Sequence, residues 1–172
     1  MRAGHRLRSA VNWVNLSTPA GLLLARAGAG GRPRRVRNGM WLVHQYRLPV
    51  PPAPAFTLGS VVFLRSGLPG AGRDPVGSVS RRLLDHEERH VTQYAWCGGV
   101  VMPVVYVAAA GWSWLRTGDF ASGNVFERRA GLADGGYPQR PIRPLAVRVT
   151  RANAHEANSH STGSAVPAGK RT

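Results

Sequence analysis

The sequence predicts an α+β fold, in which a small N-terminal β-meander with an edge strand packs on a helical unit and a disordered C-terminal tail follows. Two runs, residues 40–48 and 56–64, are rich in the β-branched and aromatic residues that favour strands. Residues 79–94 carry apolar side chains at helical spacing. From residue 138 onward the chain is rich in Pro, Arg, Ala, Ser and Asn and almost without apolar periodicity, which favours disorder.

The N-terminal half supplies the predicted strands. Residues 1–19 form a basic segment, and residues 20–27 are predicted to be a strand or a short helix. The proline-rich stretch 49–54 is predicted to be an extended connector, because four prolines remove backbone donors and fix φ. The strand over 56–64 contains Gly59, which predicts a bulge or a close backbone approach at that position.

The principal helix is predicted to begin after a cap at Ser78 or Ser80 and to run through residue 94. Arg81, Asp85 and Arg89 recur every four residues, so an ion-paired row is expected along one face. We expect this row to face water and the apolar side of the helix to face inward.

The uncharged stretch 94–115 has two interpretations. It can form a buried helical hairpin that turns at Gly98-Gly99 and leads to a third helix over 121–133, or it can span or lie on a membrane. A single full span would separate the residues on its two sides. The predicted domain therefore covers residues 20–137, between the basic segment 1–19 and the tail 138–172.

The charge balance does not by itself indicate a partner. The chain has 172 residues, 23 Lys+Arg, 8 Asp+Glu and a net charge of +15, but every cation except Lys170 is arginine. With 21 Gly and 13 Pro, this composition is typical of a GC-rich genome. A 43% apolar content excludes a fully disordered chain, and the single Cys97 excludes a disulfide scaffold. Six of the eight acids lie between Asp85 and Asp134, which makes the acids more informative than the cations.

Residues 86–90 carry the motif H-E-x-x-H. His86 and His90 lie one turn apart on a helix, so both imidazoles can reach one metal ion. Glu87 lies at the edge of the same face, where its carboxylate can act as general base on a water that the metal has acidified. The alternative is a solvated helix with two unrelated histidines.

A zinc site of this type needs a third protein ligand, and two acids are candidates. Glu127, on the third predicted helix, is the favoured one. Asp134 is the alternative ligand, or a group that orients one of the histidines. A pattern with a third histidine is absent, because the next histidine is His155 in the tail. The remaining histidines are expected to be incidental: His5, His44 and His160.

Residues 56–64 and 83–93 together resemble a known family. The strand F-T-x-G-x-x-x-F, a loop and then L-L-x-H-E-x-x-H-V-x-Q are similar to the metallopeptidase-like domain of bacterial contractile-injection-system and toxin-associated proteins. The resemblance covers residues 55–94, with Glu127 as a continuation. It implies a zincin-like fold, Zn²⁺ at His86 and His90, Glu87 as catalytic acid/base, and an edge strand that aligns an extended peptide.

The chain departs from that family at Glu88, where an apolar residue is usual, and in the uncharged stretch that follows. It also resembles small proteins of high-GC actinobacteria, which indicates a source and no function.

These observations leave three functions to compare. The first is a zinc-dependent metallopeptidase, or an inactive relative, that acts on a peptide or protein substrate in the cytoplasm. The second is a small membrane-associated protein without catalysis, anchored by residues 94–115. The third, nucleic-acid binding, is disfavoured because the sequence has no recognition motif and no lysine-rich patch.

Overall fold

The computed structural model describes residues 3–143, apart from 48, 50, 52 and 66–80. This part of the chain contains the following elements: α1 (Ala3–Val14), α2 (Ser17–Leu24), β1 (Arg34–Arg35), β2 (Trp41–Tyr46), β3 (Ala55–Leu58), β4 (Val61–Arg65), α3 (Arg81–Trp96), α4 (Met102–Thr117) and α5 (Val125–Ala130). The predicted α+β class is confirmed. The predicted caps at Ser78 or Ser80 and the predicted disorder of residues 144–172 lie outside the described residues.

The strands form one mixed sheet in the order β1-β2-β4-β3. β2 pairs with β4 in parallel, and β3 pairs with β4 antiparallel. This order is not the predicted meander, and the single strand expected over 56–64 is a hairpin of two strands. The physical reason lies in β4, whose first four residues are all buried. Such a strand needs cover on both faces and both edges, which only a central position provides.

The core lies on both faces of β4. Val62 and Leu64 pack with Leu84 and Val91 of α3 on one face. Val61 and Phe63 belong to the cluster on the opposite face, against which α2 packs its leucines. Successive side chains of a strand point to opposite faces, so the unbroken apolar run of β4 fills two cores at once.

α2 packs on the sheet, and α1 ties the N-terminus to α3. Residues 20–27, predicted as strand or short helix, continue α2 as helix. Buried Arg8 of α1 donates to Glu88 Oε1 (3.3 Å) and to Thr92 Oγ1 (3.1 Å) on α3. Asn12 donates to the carbonyl oxygen of Val91 at 2.9 Å. The N-terminal helix α1 therefore holds the outer side of α3. Its Arg8 supplies the positive charge that pairs with Glu88, the residue at which the sequence departs from the family that it resembles.

The charged residues Asp85 and Arg89, predicted to pair with each other along α3, form ion pairs with residues of neighbouring segments. Asp85 pairs with Arg37, and Arg89 pairs with Asp134 at 2.8 Å. At the C-terminal end of the described chain, the predicted helix over 121–133 is shorter, since α5 has six residues. Residues 138–143, predicted to start the tail, have no regular secondary structure, and the Arg143 N–H donates to the carbonyl oxygen of Arg116 at 3.0 Å.

The predicted turn at Gly98-Gly99 is confirmed. Both glycines have positive φ (73° and 67°), and a short 3-10 turn, Gly99–Val101, leads into α4. Within the described ranges, no single helix is both long and apolar enough to cross a bilayer. α3 and residues 99–117 meet that requirement only as a pair, bent by 114°. The hairpin, predicted to be buried, is only partly so. In α4 the buried residues are Met102, Ser113 and Thr117.

Gly59 occupies the turn between β3 and β4 with φ +64°, and a Cβ there would lie 2.3 Å from the carbonyl carbon of Ser17. The predicted close backbone approach is therefore confirmed. We expect Gly59→Ala to lower the free energy of unfolding by about 2 kcal/mol or more, because backbone must move and φ is unfavourable. Denaturant titration checks this. Gly111→Ala in α4, where a Cβ meets no atom within 4 Å, is the control and should change stability by about 1 kcal/mol or less.

Candidate metal centre

α3 brings the H-E-x-x-H residues to its buried face. His86, Glu87 and His90 are 1%, 2% and 7% exposed, although each is polar. The apolar neighbours Leu84 and Val91 on the same helix pack against the sheet, which turns this face inward. Polar groups buried in this way are costly unless they have partners, so their contacts define what the site can do.

α5 brings Glu127 to the two histidines. Asn124 caps this helix through its side-chain oxygen, which accepts from the Phe126 N–H at 3.0 Å. Glu127 Oε2 lies 3.2 Å from His86 Nε2, and Glu127 Oε1 lies 3.5 Å from His90 Nε2. Asp134, the alternative candidate, pairs with Arg89 and is not part of this cluster.

The tautomer of His86 follows from its backbone partners. Its Nδ1 lies 3.0 Å from the carbonyl oxygen of Ala130 and 3.0 Å from that of Gly131. A carbonyl oxygen can only accept, so Nδ1 carries the proton and donates. The lone pair of the neutral ring is then on Nε2 and points at Glu127. The backbone at the C-terminal end of α5 thus orients His86, a role that the sequence left open to Asp134.

Gln93 does the same for His90. The Gln93 Nε2 amide donates to the carbonyl oxygen of Phe126 at 2.9 Å, which turns Gln93 Oε1 toward His90. His90 Nδ1 donates to that oxygen at 2.8 Å. The lone pair of a neutral His90 is therefore also on Nε2, on the inner side.

Three electron-pair donors meet at the centre of this cluster. The Nε2 atoms of His86 and His90 are 3.1 Å apart. Among the described residues, Glu127 Oε2 has no hydrogen-bond partner. Two neutral imidazoles and a carboxylate repel one another unless a proton or a metal ion lies between them. His86, His90 and Glu127 therefore form a buried group that could hold a metal ion, and each offers an atom type that divalent metals bind.

Tyr106 of α4 supports the carboxylate. Its hydroxyl donates to Glu127 Oε1. Burial raises the pKa of Glu127, but its contacts with His86, His90 and Tyr106 outweigh burial and lower the pKa overall. Burial also raises the pKa of Tyr106, with a further contribution from the Glu127 charge, so the hydroxyl stays a donor. Glu127 is accordingly held as a carboxylate.

Glu87 stands apart from the three candidate ligands. Its Oε2 accepts a hydrogen bond of 2.7 Å from Thr57 Oγ1 on β3. Burial raises the pKa of Glu87, and His90, Thr57 and His86 lower it by less. The edge strand thus fixes the orientation of a buried carboxylate whose affinity for a proton is increased.

A cleft of about 360 Å³ opens onto these residues. β3 lines one wall with Ala55, Phe56 and Thr57, and α4 lines another. Its lining includes three ionisable side chains, Glu87, His90 and Glu127. A mostly apolar cleft with a few convergent polar groups is typical of a ligand site.

A glycine makes room for the His86 ring. A Cβ on Gly135 would lie 2.6 Å from His86 Cε1 and 2.8 Å from its Nε2, so no other residue fits without displacing the ring. Tyr137, two residues on, tilts against the same imidazole with ring centroids 5.8 Å apart. The segment after α5, through Gly135 and Tyr137, therefore packs directly against the His86 ring.

Comparison with protein-family models, with curated protein sequences and with solved structures returned no match for this chain.

Sequence reasoning missed the residues that support the cluster. Gln93 lies three residues after His90 on the same helix, and that spacing could have identified it. No sequence signal points to Tyr106, Thr57 or Gly135, because each reaches the cluster from another element.

We expect Gln93→Ala to weaken the affinity of the cluster for a divalent metal ion by about 10–100-fold, because His90 loses the acceptor that fixes its tautomer. Titration of the apoprotein with Zn²⁺ against a competing chelator measures this. Gln139→Ala, at an exposed glutamine, is the matched control and should bind as the wild type does. Equal affinities for the two variants would contradict the orienting role.

Proposed function

We propose that this protein is a zinc-dependent peptidase. The observation that carries the proposal is the buried His86, His90 and Glu127 group, whose ligand atoms lie within 4.8 Å of one another and in which Glu127 Oε2 has no hydrogen-bond partner among the described residues. Two histidines and one carboxylate, with room for water, are the ligands of catalytic rather than structural zinc sites. Zinc is inferred from these ligand types, since the geometry alone fits other divalent metals.

The residues around the cluster suit hydrolysis. A bound zinc ion would supply a Lewis acid that lowers the pKa of water and polarises a carbonyl group. Glu87, held by Thr57 beside the cluster, would accept the proton of the attacking water and pass it to the leaving amine. Tyr106 and Gln93 would keep Glu127 and His90 in place.

The cleft suits an extended peptide. β3 is the last strand of the sheet in the described part of the chain, so its outer edge offers backbone donors and acceptors. An added peptide strand along β3 would run past Glu87 and His90, with apolar side chains against Phe56, Val107 and their neighbours. We therefore propose peptides or proteins with apolar residues near the cleaved bond as the substrate class.

A membrane-associated protein without catalysis is the second candidate, and the exposed apolar side of α4 favours it. Metal content separates the two, because a non-catalytic anchor has no need of zinc.

The zinc ligands are tested by metal analysis of purified protein. We expect wild type to retain about one zinc per chain after dialysis, and His86→Ala or Glu127→Gln to lose most of it. Asp134→Asn is the matched control: it removes an acid that pairs with Arg89 and should keep the zinc. A metal-free wild type, or Glu127→Gln with full zinc content, would overturn the assignment.

The role of Glu87 is tested with Glu87→Gln, which keeps the size of the side chain and removes the base. We expect zinc content to be unchanged and kcat for a peptide library substrate to fall by about 10²–10⁴-fold. Asp85→Asn, on the exposed side of the same helix, controls for charge and should leave kcat unchanged. Retained activity in Glu87→Gln would remove Glu87 from the reaction.

A further inference from the structure

We propose that the outer face of α4 docks on an anionic membrane surface. This face consists of large apolar side chains that lie 52–70% exposed: Val104, Val107, Trp112, Trp114, Leu115 and, just beyond the helix, Phe120. A contiguous apolar surface of this kind on a single helix marks an interaction site.

The amphipathic pattern of α4 is the reverse of that in an ordinary surface helix, which buries its large apolar side chains. Its buried side includes small polar residues, Ser113 and Thr117, whose hydroxyls both donate to the carbonyl oxygen of Asp119. Its large apolar side chains point away from the protein. A helix designed to face water has the opposite arrangement, so the outer face requires apolar surroundings.

The apolar surface continues beyond the N-terminal end of α4. Asn15, in the α1–α2 turn, packs against Gly99, where a Cβ would lie 2.4 Å from Asn15 Cγ. Its chain neighbours Val14 and Leu16 are 83% and 63% exposed. Docking therefore has two supports, the turn and the helix.

Charge at the other end of α4 decides the occupant. Arg116 lies over the Trp112 ring, with Cζ 5.3 Å from the ring centroid, and its Nε donates to the carbonyl oxygen of Arg143. Arg140 donates to the carbonyl oxygen of Gly118. α4 itself has no acid, and Asp119 accepts from backbone N–H groups of its own loop.

Tryptophan and arginine side by side are typical of the lipid headgroup region. Anionic headgroups complement these arginines and the net charge of +15. A second copy of this chain would bring the same positive charge to the interface, which disfavours a dimer through this face.

Docking would place the cleft beside the bilayer. Pro103 and Val107 of α4 line the cleft, so the docking face borders its opening. The substrate class then narrows to peptide segments close to a membrane surface. This narrowing rests on the proposed peptidase function, whereas the docking does not.

The test is co-sedimentation of the full chain with vesicles, in the absence of peptide. We expect the protein to bind vesicles made of a mixture of phosphatidylglycerol and phosphatidylcholine, and to bind vesicles of phosphatidylcholine alone much more weakly. Binding should shift the tryptophan fluorescence to the blue. High salt should weaken the binding, because it screens the arginines. Val104→Ser/Leu115→Ser should lower the affinity by about tenfold or more.

The matched control is Leu7→Ser/Leu23→Ser, which removes two apolar side chains that are 68% and 67% exposed on other helices. It should bind vesicles as wild type does. No binding to anionic vesicles, or an equal loss in both double variants, would overturn the proposal. So would a lipid-free dimer that dissociates in Val104→Ser/Leu115→Ser, since a second copy would then be the occupant. Zinc content is measured separately, so failure of docking and failure of the peptidase proposal are distinguishable.

Discussion

The rest of the structure depends on one constraint, which is the close approach of two imidazole nitrogens, from His86 and His90, to the buried carboxylate of Glu127. Backbone carbonyls at the C-terminal end of α5 accept the Nδ1 proton of His86, and the side chain of Gln93 accepts that of His90, which leaves both Nε2 atoms facing Glu127. Such an arrangement is unfavourable without a cation. The chain builds this arrangement from two separate helices and supports it from α4 with Tyr106, so its interior is organised around a group that could hold a metal ion.

The other elements are arranged to keep this cluster in place. Buried β4 provides a platform on which α3 packs one face, and α1 fixes the opposite side of α3 through the Arg8–Glu88 pair. The hairpin places β3 at the edge, where Thr57 reaches Glu87. Glu87 is thereby tied to the strand that borders the cleft, so substrate alignment and the proposed base depend on the same element.

α4 has two chemically different sides. Its inner side contributes Tyr106 and part of the cleft wall, and its outer side presents apolar residues and tryptophans. The apolar stretch that suggests a membrane segment in the sequence therefore need not compete with the metal site. A bent hairpin can close the site on one side and lie on a membrane with the other.

The sequence alone determined the α+β class, the HExxH helix with His86, Glu87 and His90 on one inward face, and the turn at Gly98-Gly99, because these follow from local periodicity and backbone preference. Its preference for Glu127 over Asp134 as the third ligand stays a prediction, but packing brings only Glu127 to the two histidines, since Asp134 pairs with Arg89. The central place of β4, the division of residues 56–64 into a hairpin and the approach of Thr57, Tyr106 and Gly135 needed the tertiary structure. They depend on contacts between residues far apart in the chain, which no local pattern encodes.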